Sequence, residues 1–218
     1  MDQLPQALLF LGMIPGLFLL FLSIKGYEKI YKYQTVIFTF ALGLILGFIA
    51  VIIEYFFQNV GPISIIILFP ILEQLLKTIV LNLRRLQFKK ETTVYGLSLG
   101  LGFGSIFIPF SLVVINAVGL IDNLSIISTV IWSLGIVLLH GATGAYIGYG
   151  VYIGKLWKYF FYSILIYLPV TILSTLSQTK YNYILFALVP YSIVIYSYVT
   201  RKIMPNILSD EKRKRSKK

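Results

Sequence analysis

Four ionisable side chains interrupt otherwise apolar stretches of this chain: Glu54, Glu73, Lys77 and His140. At the centre of a membrane span such a group costs roughly 2.5–3.5 kcal/mol, so each needs a physical reason for being there. Glu73 and Lys77, in "FPILEQLLKTIVL", are four residues apart with the carboxylate on the N-terminal side. That spacing and order suit an ion pair on one helical face. They form either a self-neutralised pair that lets the helix insert or, with Gln74 beside them, a buried polar site. His140, in "VLLHGATGAYIGYG", shares a face with Gly144 and Gly148, which sets it against another helix and not against lipid. It reads as a hydrogen-bonded packing residue or as a metal ligand. Glu54, in "VIIEYFFQN", lies about one turn from the end of its apolar run and is expected to reach the interface by snorkelling.

The elements that carry these residues follow from composition. Of 218 residues, 58% are hydrophobic and 12% charged, too apolar for one water-soluble core and typical of a polytopic membrane protein. Apolar runs of helical length predict an all-α bundle of seven transmembrane helices, at about 7–24, 36–57, 63–82, 94–117, 125–151, 157–177 and 182–200. Residues 1–203 form one membrane domain and 204–218 a basic tail; the first run reads as a span, not as a cleaved leader. Seventeen Lys and Arg fall in one set of alternating loops and the tail, whereas the other set holds only Lys180. The positive-inside rule then predicts an outside N-terminus and a cytoplasmic C-terminus, with the cell membrane as the expected location. Those topogenic cations account for the net charge of +11, so nucleic acid is not an expected partner, while membrane lipids are. Counted inward from the outer face, Glu73 and His140 differ by about four residues, roughly 6 Å at 1.5 Å per residue, so the two can meet. With no cysteine and one histidine, thiolate and multi-histidine metal sites are excluded within the chain.

The glycine-rich stretch "YGLSLGLGFGS" is not a phosphate-cradling loop, because no strand–helix alternation surrounds it. Gly96, Gly100 and Gly104 recur every four residues and pare one helix face down to backbone, so that a second helix can approach closely. The pattern leaves open whether that helix belongs to this chain or to another subunit.

Taken in order, "FLGMIPGLFLLFL", "PILEQLLKTIVLNL", "YGLSLGLGFG" and "LLHGATGAYIGYG" resemble the superfamily that joins PrsW-type intramembrane proteases, CAAX prenyl proteases and the Aph subunit of γ-secretase. The resemblance covers nearly the whole chain and is closest to the Aph-like and PrsW-like branches. It departs where chemistry would reside. A PrsW-type protease implies a second Glu where this chain has Gln74, and a Glu-Asn pair where it has Phe107 and Ile108. The second histidine of Aph proteins corresponds to a region that offers Tyr167. The resemblance therefore implies a non-catalytic scaffold that stabilises a partner, plausibly a presenilin-type aspartyl protease, through the glycine stripe. Glu73, Gln74, Lys77 and His140 would form its buried polar cluster. The alternative is a PrsW-type glutamic or metal-dependent protease using Glu73 and His140, the one case in which a bound metal is expected. A small transporter is less favoured, because no inverted repeat or pair of broken helices is visible.

Overall fold

Proline and glycine set the ends of the helices. In the computed structural model, which describes residue 10 and residues 12–57, 59, 61–117, 123–177 and 187–208, the described residues are helical without strands. The helices are α1 (Met13–Ile24), α2 (Tyr33–Phe57), α3 (Pro62–Leu81), α4 (Thr92–Ser105), α5 (Phe107–Ala117), α6 (Asn123–Tyr152), α7 (Leu156–Ser177) and α8 (Leu188–Tyr198). A π-helical turn, Val199–Ile203, follows α8. Gly61 (φ 104°) turns the chain into Pro62, whose fixed φ and missing N–H suit the first helical position. Gly154 (φ 71°) makes the reversal between α6 and α7.

Among the described residues, five segments are long and apolar enough to cross a membrane: α2, α3, the α4–α5 stretch Thr92–Val114, α6 and α7. This differs from the seven expected. α1 has 12 described helical residues and α8 has 11, short of the roughly 20 that a bilayer requires. The early residues of both expected end spans, Lys180 and the tail beyond residue 208 lie outside the described residues. The fourth expected span, 94–117, is also not one helix. It breaks at Ile106, because Pro109 has no N–H to offer the carbonyl of Ser105 four residues back.

α4 forms the centre of the bundle, with all 14 of its residues buried. Such enclosure requires small residues on several sides, which its four glycines provide. Gly96 and Gly100 lie against the backbone of α6 at Gly144 and His140, and a Cβ on Gly104 would come within 2.7 Å of Val137 Cα. Gly144 and Gly148 close the same seam from α6, against Gly96 and Thr92. On the opposite side, Gly102 meets Phe40 of α2, while Gly43 and Gly47 of α2 meet Leu99 and Phe103. Ser98 Oγ ties this second seam by donating to the Val36 carbonyl at 2.6 Å. The helix that the Gly96–Gly100–Gly104 stripe accepts is thus α6 of the same chain. No exposed surface is left on that face.

α3 and α7 pack together beside α6. Both contain a proline, and Pro70 leaves the Ile66 carbonyl of α3 without a helical donor. Thr171 of α7 shares its one hydroxyl hydrogen between that carbonyl, at 3.2 Å, and the Leu168 carbonyl of its own helix, at 3.0 Å, so the proline defect becomes part of an interhelical tie.

Candidate functional site

The polar residues singled out in the sequence converge where α3, α6 and α7 meet. One turn of α3 carries Glu73, Gln74 and Lys77 inward, and α6 presents His140 and, three residues on, Thr143. The glycine seam positions the histidine: a Cβ on Gly104 would lie 3.2 Å from His140 Cβ and 3.3 Å from its Cδ2. Glu73 is 1% exposed, and Lys77 and His140 are fully buried. Groups this deep must satisfy one another, since unpaired polar atoms are costly away from water.

They do so in a directed chain. Lys77 Nζ lies 3.1 Å from His140 Nδ1 and 2.9 Å from Thr143 Oγ1. With Lys77 as an ammonium, which only donates, Nδ1 accepts and the ring proton is assigned to Nε2. Nε2 is 3.0 Å from the Tyr167 hydroxyl, which in turn donates to Glu73 Oε1 at 3.2 Å. So directed, the chain runs from a cation at Lys77 to a carboxylate at Glu73, whose second oxygen, Oε2, has no hydrogen-bond partner among the described residues. Thr143 closes the Lys77 end by donating to the His140 carbonyl at 3.2 Å.

Aromatic rings enclose the imidazole. Phe107 stacks on it at 5.2 Å with planes 25° apart, Phe103 lies at 4.7 Å and Tyr167 at 4.8 Å. Lys77 Nζ also sits 5.2 Å above the Phe103 ring. Phe107 is therefore a lid over the histidine. Comparison with models of known families, with curated proteins and with solved structures gives no match.

Three sequence expectations change. Glu73 and Lys77 share a face but do not pair directly; Glu73 is within 3.7 Å of His140 Nε2, and Lys77 reaches across to α6. Gln74 is buried alongside, yet neither its Oε1 nor its Nε2 has a hydrogen-bond partner among the described residues, so it adjoins the chain without joining it. Glu54 does not snorkel to the interface. It lines a cavity of about 150 Å³ together with Glu73, Trp132 and Tyr167. Glu54 Oε1 and Glu73 Oε2 are both sealed from solvent without a hydrogen-bond partner. The face that turns Glu54 inward is the one that carries Gly47 and Val51, at helical spacings before it.

Two participants were not singled out for these roles. Tyr167 supplies the bridging hydroxyl, and its only signal in the sequence is its position where an Aph protein has a histidine. Thr143 was detectable three residues after His140, on the same helical face. As a metal centre the donor set fits poorly. Both imidazole nitrogens are already engaged, and an ammonium 3.1 Å from Nδ1 repels a divalent cation.

Proposed function

We propose that this chain is a non-catalytic membrane scaffold of the Aph-like and PrsW-like type. It would lie in the cell membrane with seven spans, its N-terminus outside and its C-terminus cytoplasmic, supporting a membrane partner such as a presenilin-type aspartyl protease. The observation that carries this reading is the closed chain Lys77–His140–Tyr167–Glu73. A histidine with both nitrogens engaged, full burial and a phenylalanine lid serves to fix helix positions, not to take protons from a substrate. Because the glycine stripe is closed by α6, a partner would contact the lipid-facing helices. The topology rests on the one-sided distribution of cations. Affinity purification of the tagged chain from native membranes, with cross-linking before detergent is added, tests the proposal. A stoichiometric membrane-protein partner is expected, and a monomer with none would overturn it.

One observation favours a second reading, an intramembrane hydrolase. Glu54 and Glu73 line the same cavity, and two carboxyl groups that share a proton can act as base and acid toward a peptide bond. This differs from the sequence-based pairing of Glu73 with His140, for the histidine is occupied. Cleavage of a membrane-anchored peptide by the purified chain, abolished in both Glu54→Gln and Glu73→Gln, would favour the hydrolase over the scaffold.

A further inference from the structure

On the side of the basic loops, a cavity of about 540 Å³ lies between the start of α2, the end of α3 and the connection from α3 to α4. Its lining divides sharply by chemistry. Lys32, Arg85 and Lys89 border its mouth, and all three are solvent-exposed. Phe38, Leu42 and Val80 form a wall that runs from there along α2 and α3, both of them helices apolar enough to cross a membrane. Among the described residues, none of the three cations has a salt-bridge partner, although Glu91 also borders the cavity. Tyr95 adds a neutral donor: its hydroxyl oxygen accepts the Lys32 backbone N–H at 3.1 Å, which leaves its own hydrogen free.

We infer that this cavity binds one anionic phospholipid, its phosphodiester held by Lys32, Arg85 and Lys89 and an acyl chain lying along Phe38, Leu42 and Val80. The charge pattern selects the headgroup. Three cations from two separate segments can surround a phosphate, Arg85 with a planar fork suited to two of its oxygens. The apolar wall selects a lipid over a free anion, since a soluble phosphate would gain nothing from it. Basic recesses between membrane helices at the level of the headgroups are physically suited to such lipids. A lipid seated there would also brace the α3–α4 connection against α2, from which α4 enters the centre of the bundle. The inference needs the chain to be in a membrane but does not depend on the scaffold reading.

The test uses the full-length chain purified in a neutral detergent. Thermal unfolding is followed while phosphatidylglycerol, phosphatidylcholine or inorganic phosphate is added, and native mass spectrometry counts retained lipid. Phosphatidylglycerol is expected to raise the melting temperature saturably, with one lipid retained per chain, and the other two additions to do so far less. Removing the cations in Lys32→Gln/Arg85→Gln/Lys89→Gln should weaken that response roughly a hundredfold, about fivefold for each cation. Arg85→Gln alone gives a graded check should the triple variant unfold. A control that removes equal charge from the same side, Lys25→Gln/Lys155→Gln/Lys158→Gln, should respond as the unaltered chain does. Equal stabilisation by phosphatidylcholine, an equal effect of inorganic phosphate, or an equal loss in the control would each overturn the assignment.

Discussion

Replacing Tyr167 with Phe removes a single oxygen and leaves the ring in place against His140. That oxygen is the centre of the buried chain, 3.2 Å from Glu73 Oε1 and 3.0 Å from His140 Nε2. Its loss strands a carboxylate oxygen and an imidazole N–H on residues that are 1% and 0% exposed. Interhelical hydrogen bonds in membranes average about 0.6 kcal/mol and reach about 1.7, and a buried group left unpaired costs about 1–3 kcal/mol. Part of the loss is recoverable, because Glu73 Oε1 and His140 Nε2 are 3.7 Å apart and a small movement would join them directly. The net expectation is a destabilisation of about 1.5–3 kcal/mol, with no cavity contribution. Reversible unfolding in mixed micelles with increasing dodecyl sulfate measures it. Combined with Glu73→Gln in a double-mutant cycle, the pair should show a coupling of about 1 kcal/mol. A loss below about 0.5 kcal/mol with additive effects would refute the chain as a cooperative unit.

Lys77→Met leaves the Glu73 carboxylate buried without its distant cation and should destabilise by about 3–5 kcal/mol, with Glu73→Gln in the same chain restoring most of it; the same micelle titration reads both. Gly104→Val drives a side chain into Val137 and the His140 ring, and a loss of at least about 1–3 kcal/mol is expected in the same micelle titration. Thr171→Val frees the Ile66 carbonyl and should cost about 1 kcal/mol by the same assay. The chain has no cysteine, so Asn59→Cys and Lys155→Cys report topology directly: an impermeant maleimide applied to intact cells should label position 59 and spare position 155.

The helical bundle and its central seam were legible because both rest on periodicity along one helix. A glycine every fourth residue defines a bare face whatever lies opposite, and Gly144 and Gly148 marked the matching face of α6. The break at Ile106 was harder to see, as its cause, Pro109, acts on a carbonyl four residues upstream. The position of Glu54 near the end of its apolar run indicates depth, whereas its direction lies in the register with Gly47 and Val51. The Glu73–Lys77 spacing suggested contact within one helix. In the folded chain α6 brings an imidazole and a hydroxyl within reach of the ammonium, and α7 brings a phenol to the carboxylate. Spacing within α3 cannot reveal acceptors that other helices supply. Tyr167 is the extreme case, since a tyrosine in an apolar span becomes a bridge only once α3, α6 and α7 are assembled.

Because the chain contains a single histidine, isotope labelling resolves the centre of this account without assignment ambiguity. In ¹⁵N-histidine protein reconstituted in lipid, magnetic resonance of the ring nitrogens should show one unprotonated nitrogen, Nδ1, and one protonated nitrogen, Nε2. Both should be unmoved by added zinc, as expected of a ring closed between Lys77 and Tyr167. A doubly protonated ring, the opposite tautomer, or a shift on adding zinc would contradict the closed chain and the non-catalytic reading built on it.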